Sequence, residues 1–422
     1  MVEKIIRTEI NDKTTKHNFI LNVLDGAIFA FAMSIVSQNT VLPIFVKSLG
    51  GDSIAIALIP VVWTVGFNLP QILIANYTSK FMYKKKLLLI TGFFQRIFWL
   101  FLGIFAFFSL NIERSEIKVC LFFVIFFLAA VGGGFNLPNW FDLISKIIPV
   151  NLRGKLFAWR ISLGGFLGVL GGYIVKLIME SFTYPYSYSI LFFLAFIITM
   201  ISYTILFSII EDKPSASFLL NYKEYIKYFP VILSRNKNYR NFMIADSLMI
   251  LAYTSFAFFT VDAIDKFSLS NSSAGVFTMI MMSSMILGSI IFGYLADEYG
   301  HKINLILTSI STFLASLIAL ISWNVTLYYI VFVFVALTNS LIQVSRLTII
   351  AEMCSDSERA IYAALTNVIT VPFLFSNIIA GWIAQLYGFN TIFIISSAIS
   401  FFVTIWYLYN VKEPRKIYLQ SN

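Results

Sequence analysis

Residues 303–350 read INLILTSISTFLASLIALISWNVTLYYIVFVFVALTNSLIQVSRLTII. Two apolar runs, 303–323 and 327–350, are separated only by the short link Trp323–Thr326. At a rise of about 1.5 Å per residue, roughly 20 residues of helix cross a hydrocarbon core of about 30 Å. A link that short forces the two helices to run antiparallel, side by side. Outward from this hairpin the pattern recurs at 18–46, 55–78, 87–110, 119–143, 160–181, 188–210, 242–265, 272–296, 361–387 and 391–410, with Gly388–Asn390 as another tight link. The expected fold is all-α: a polytopic membrane protein of about twelve transmembrane helices.

Composition agrees. Of 422 residues, 59% are hydrophobic and 12% charged, against about 25% charged in a soluble domain. Mean hydropathy is +0.84. A soluble chain of this length cannot cover so much apolar side chain with polar surface, so lipid must cover it. The 44 phenylalanines suit lipid-facing and helix-packing surfaces. Cys120 and Cys354 fall at opposite faces of the expected topology, which excludes a disulfide between them. His17 and His301 lie in separate polar segments, with no metal-ligand spacing and no cofactor expected.

The net charge of +9 is a topology signal. Lys and Arg split 23 to 4 between the two sides of the membrane, with Arg96, Lys176 and Arg346 inside spans. The positive side holds both termini, which requires an even number of spans and places both ends in the cytoplasm. That placement argues against nucleic acid as a partner. The leader 1–17 mixes both charge signs without an apolar core, so it reads as a cytoplasmic segment and not a signal peptide.

The longest polar segment, 211–241, divides the chain into an N-terminal bundle (18–210) and a C-terminal bundle (242–410), followed by a cytoplasmic tail (411–422). Lysines interleave with aromatics at 218–229, a pattern that suits a surface helix. The halves repeat. Asn18-Phe19-Ile20-Leu21 matches Asn241-Phe242-Met243-Ile244, and Arg153-Gly154-Lys155-Leu156-Phe157-Ala158 matches Arg359-Ala360-Ile361-Tyr362-Ala363-Ala364. Two pseudo-symmetric six-helix bundles follow, an arrangement by which secondary transporters place a substrate path near the midplane.

Between spans eight and nine the chain reads Gly293-Tyr294-Leu295-Ala296-Asp297-Glu298-Tyr299-Gly300-His301-Lys302. This stretch resembles the cytoplasmic loop signature of the major facilitator superfamily. The first-half counterpart, Ala75 to Lys86, keeps the basic end but lacks the Asp. Gly164-Gly165, Gly168 and Gly171-Gly172 in span five are similar to the glycine-rich motif of the family's drug exporters, without its Pro. Pro138-Asn139-Trp140 and Arg153-Gly154 give the chain the look of prokaryotic members. The resemblance implies that spans one, four, seven and ten line a central cavity. It also implies that Gly293, Asp297, Gly300 and Lys302, with Arg153 and Arg359, belong to gating loops. No substrate class follows from it.

Polar groups inside spans are costly, so each is a candidate. Asn339, Gln343 and Arg346 share one face of span ten, where a polar face must line water, solute or another polar helix. Asn22 and Asp25 are three apart in span one, with Asn39 close to four turns further on. Asp25 suits either proton coupling or a structural pair with Arg96. Asn136 and Asn139 are the candidates in span four, while Asp142 suits a pair with Arg153 or Arg160. Asp246 reads as interfacial.

The chain carries no H-E-x-x-H, G-x-S-x-G or phosphate-binding G-x-x-x-x-G-K motif. The expected function is secondary transport of a small solute by alternating access, with the coupling ion left open and protons one candidate. The expected partners are the lipid bilayer and that solute, for a chain acting as a monomer in the plasma membrane. A membrane enzyme, a receptor or a channel is the alternative class.

Overall fold

A computed structural model describes residues 13–78, 81–212, 230–355 and 358–415. Twelve of its helices are long and apolar enough to cross a membrane. The surface-helix segment 218–229 and most of the leader lie outside the described residues.

In the first half, span one consists of α1 (Lys13–Ile35) and α2 (Val41–Ser48). It is followed by α3 (Ser53–Thr78), α4 (Lys85–Phe108), α5 (Ser115–Ile147), α6 (Val150–Ser181) and α7 (Tyr186–Phe207). In the second half, span seven consists of α8 (Lys237–Ala252) and α9 (Phe259–Phe267). Then come α10 (Ser273–Tyr299), α11 (His301–Ile321) and α12 (Val325–Glu352). Span eleven is α13 (Arg359–Leu374) with α14 (Ser376–Tyr387), and α15 (Phe389–Asn410) closes the bundle.

Three spans expected to be continuous are therefore broken. In span one the Ser37 carbonyl accepts from the N–H groups of Thr40, Val41 and Leu42, restarting the helix, and Pro43 sits in the new first turn where its missing N–H costs nothing. Span seven tightens to a 3-10 turn over Tyr253–Ala257. Span eleven breaks at Phe375, three residues after Pro372. Conversely, residues 144–160, expected as a loop, are nearly all helical: α6 begins at Val150, directly after Pro149.

Each half is tied end to start by a reciprocal asparagine. Asn18 Nδ2 donates to the Ile210 carbonyl (2.8 Å), and Ile210 N–H donates back to Asn18 Oδ1 (2.9 Å). Asn238 does the same with Lys412 (2.9 and 2.7 Å). The structural repeat thus pairs Asn18 with Asn238, three residues before the Asn241 that the sequence comparison selects.

The apolar core has three parts. One joins both halves on the side distal to the termini, where Phe45, Phe122 and Phe192 of the first half pack in the same cluster as Phe258, Phe277 and Phe332 of the second. On the termini side there are two separate cores, one of Leu88, Leu143, Ile147 and Leu206, the other of Tyr239, Phe242, Leu365 and Tyr407. The halves are welded at the distal end and pack independently at the other.

Candidate functional site

Spans two, five, eight and eleven join the halves, five packing on eight and two on eleven. Span one packs on five and six, four on two and three, seven on eleven and twelve, and ten on eight and nine.

In the first half the polar groups gather on Asp25, which is 4% exposed. Ser202 Oγ donates to its Oδ1 at 2.7 Å. Arg96 Nη2 lies 3.8 Å from the same oxygen, and Arg160 Nη1 lies 3.4 Å from Oδ2. Arg96 is otherwise occupied: its Nε donates to the Thr199 carbonyl (2.9 Å), Nη1 to the Gly92 carbonyl (2.9 Å) and Nη2 to Ser202 Oγ (3.1 Å). Arg160 donates to the Asn22 carbonyl and lies 4.6 Å over the Trp140 ring, a cation–π distance. Gly26 makes this seat possible, because a Cβ there would fall 2.2 Å from Arg160 Cζ. One carboxylate thereby draws spans one, three, five and six together, and Arg160 adds span four.

Asn22 and Asn139 are fully buried, and each leaves its Oδ1 without a partner; so does Trp140 Nε1. Asn136 bridges spans three and four, donating to Gln95 Oε1 (3.0 Å) and accepting from Thr91 Oγ1 (3.0 Å). Asp142 pairs with Lys84 (3.1 Å), not with Arg153 or Arg160. Arg153 instead closes the end of α5, bonding the carbonyls of Ser145 and Ile148.

In the second half Arg346 clasps Asp246 with Nε at 2.9 and 3.1 Å and Nη2 at 2.7 Å. Asp246 is 7% exposed and buried within the bundle, because its guanidinium partner offsets the cost of burial. This pair turns the polar face of span ten toward span seven. Asn339 is half-buried and Gln343 exposed on the same face.

Asn39 does not continue the Asn22–Asp25 face, since the helix breaks before it. Its carbonyl accepts from Thr260 Oγ1 across the halves (2.6 Å). Beside it Thr40 and Thr278 hydroxyls meet at 2.6 Å, and Lys47 pairs with Asp265. Backbone contact extends this closure: a Cβ on Gly275 would lie 2.4 Å from the Gly172 carbonyl.

On the termini side Glu413 accepts from Lys302 N–H (2.8 Å) and covers Gly300, whose φ of +89° suits glycine. Arg415 bonds Glu352 (2.8 Å) and the Asp297 carbonyl (3.2 Å). Asp297 itself is exposed, and nothing lies within 4 Å of a Cβ placed on Gly293. Arg359 is exposed at the start of α13. Its neighbour Glu358 accepts from Arg235 in a polar cavity of about 460 Å³, and that hydrogen bond holds its carboxyl below the usual value. Arg160, Glu211, Glu413 and Arg415 were not singled out by sequence; Pro149 as a helix start, and the Glu before a Pro after each half's last span, were the available signals.

The described residues form a two-half helical bundle, joined distally and separate at the other side. Residues 242–420 match the model of the Major Facilitator Superfamily, and the whole chain has that fold. Among solved structures it is similar to a mutant form of the nucleoside transporter NupG (13% identity, 95% of this chain and 100% of that one, TM-score 0.71). It is also similar to a D-xylose–proton symporter (13%, 96% and 99%, TM-score 0.69) and to a POT family transporter in complex with 5-aminolevulinic acid (12%, 93% and 95%, TM-score 0.70). No curated protein matches the sequence.

Proposed function

We propose that the chain is a secondary active transporter that moves a small solute by alternating access, with both termini in the cytoplasm of a plasma membrane. The distribution of the core carries this reading. A single distal core spans both halves while two separate cores stand on the termini side, so the halves can rock about contacts that are made and broken. Beside the shared apolar core, the distal side is closed by polar and small contacts: Thr40 with Thr278, Lys47 with Asp265, Gly172 with Gly275. The 23-to-4 split of Lys and Arg supports the orientation.

Asp25 is the coupling group in this reading, as the buried carboxylate on which Arg96, Arg160 and Ser202 converge. In proteoliposomes Asp25→Asn should abolish pH-driven uptake and leave solute exchange intact; unchanged pH dependence removes Asp25 from coupling. Absence of flux for any solute across a broad panel contradicts the transport reading.

A further inference from the structure

The two halves differ in their internal charge. In the second, Arg346 and Asp246 neutralise each other through three bonds of 2.7–3.1 Å. In the first, Asp25 faces both Arg96 and Arg160, so one carboxylate stands against two guanidiniums. Arg96 is 2% exposed and bonded through Nε, Nη1 and Nη2. Arg160 is held more loosely. Its carboxylate contact is 3.4 Å, its bonds are from Nη1, and its side chain keeps 17% of its surface.

A surplus cation in a membrane interior is expensive unless a counter-charge reaches it. Arg160 lies among spans one, four and five, against Asp25, the Asn22 carbonyl and the Trp140 ring. Two unpartnered groups flank it. Trp140, on which it stacks, leaves its Nε1 donor free, and Asn22, whose carbonyl it bonds, leaves its Oδ1 acceptor free. A guanidinium and an indole N–H together recognise a carboxylate or phosphate. The free Asn22 acceptor adds a place for a hydroxyl or amine on the same molecule.

We propose that the transported solute is a small organic anion, bound through its carboxylate or phosphate by Arg160 and Trp140 and through a donor group by Asn22. This deepens the transport reading above and rests on it. A singly charged headgroup replaces the weak Arg160–Asp25 contact and brings the charge of the first-half cluster to zero. Neutralising that charge is what lets the loaded site be enclosed, so the cluster is set against an empty closed state.

The test uses the full chain in detergent and in liposomes. The probes are lactate, succinate and glycerol 3-phosphate as anions, glycerol and succinamide as neutral counterparts, and choline as a cation. At least one anion should raise the melting temperature by about 2 °C or more and exchange across the membrane, while glycerol, succinamide and choline do neither. Carboxylates and the phosphate, run separately, distinguish the two headgroups. Arg160→Gln should weaken the anion effect about tenfold or more, and Arg160→Lys should retain part of it. If Arg160→Gln does not fold, Trp140→Phe, which keeps the stacking surface, should still weaken anion binding several-fold. Shifts and flux with neutral or cationic probes alone, or anion binding unchanged in these variants, overturn the proposal and leave transport standing. No binding and no flux with any of the anions overturns the proposal as well, while the transport reading is judged on the broad solute panel.

Discussion

Glu211 and Glu413 do the same work, one in each half. Each follows by one residue the backbone that Asn18 or Asn238 ties down, and each caps the start of the third helix of its half. Glu211 accepts from the N–H groups of Lys84 and Lys85 (both 2.7 Å), and Glu413 from that of Lys302 (2.8 Å). A carboxylate on the unsatisfied N–H groups of a helix start gains both hydrogen bonds and the favourable end of the helix dipole. The last helix of each half is thereby locked to its third.

The caps differ in strength. Glu211 takes two N–H groups and the Lys146 ammonium, with a side chain only 3% exposed. Glu211→Gln should therefore lower thermal stability more than Glu413→Gln, by about 1.5–3 kcal/mol on the scale of hydrogen bonds to charged groups. Melting curves of the two variants in one detergent give the order; a larger loss for Glu413→Gln contradicts it.

The Asp246–Arg346 pair should behave as a buried unit. Removing one partner strands the other charge, at a cost of about 3–5 kcal/mol, so Asp246→Asn and Arg346→Gln should each destabilise strongly. The exchange Asp246→Arg with Arg346→Asp should recover part of the loss, as a double-mutant cycle on melting temperature will read.

Backbone approach at Gly172 and Gly275 makes the distal closure. A side chain on Gly275 meets the Gly172 carbonyl and Lys176 backbone, so Gly275→Val should wedge spans five and eight apart. Cysteines placed in the distal loops should then react faster with a membrane-impermeant maleimide than in the parent protein. Equal rates in the two proteins contradict the assignment.

Orientation is open to a direct reading. A fluorescent reporter fused after residue 422 should be fluorescent in cells, and an alkaline phosphatase fusion there inactive. The opposite pair of results inverts the topology.

Sequence patterning reached the twelve spans and the two halves because each signal is carried by a long apolar run or by charge summed over many loops. It missed the breaks in spans one and seven, since Val36, Leu42 and Phe258 keep the run apolar through the interruption. Arg160 is assigned to Asp142 for a related reason: its place at the edge of an apolar run hides that α6 starts ten residues earlier, behind Pro149, which turns it toward Asp25. Repeat matching selects Asn241 because Phe follows it as Phe19 follows Asn18; Asn241 donates to the Asn410 carbonyl, but the reciprocal pair belongs to Asn238, and only packing reveals it. Arg346 was legible as a polar face, but its partner Asp246 was not, because the two lie 100 residues apart.

The central claim is that the two halves must part on the distal side for solute to cross. Thr40 and Thr278, whose hydroxyls meet at 2.6 Å, give the most direct handle on it. In a background with Cys120 and Cys354 replaced by Ser, the pair Thr40→Cys and Thr278→Cys should form a cross-link on oxidation. Solute exchange in proteoliposomes should stop when the link forms and return when it is reduced. Exchange that continues at the same rate with the link fully formed contradicts alternating access.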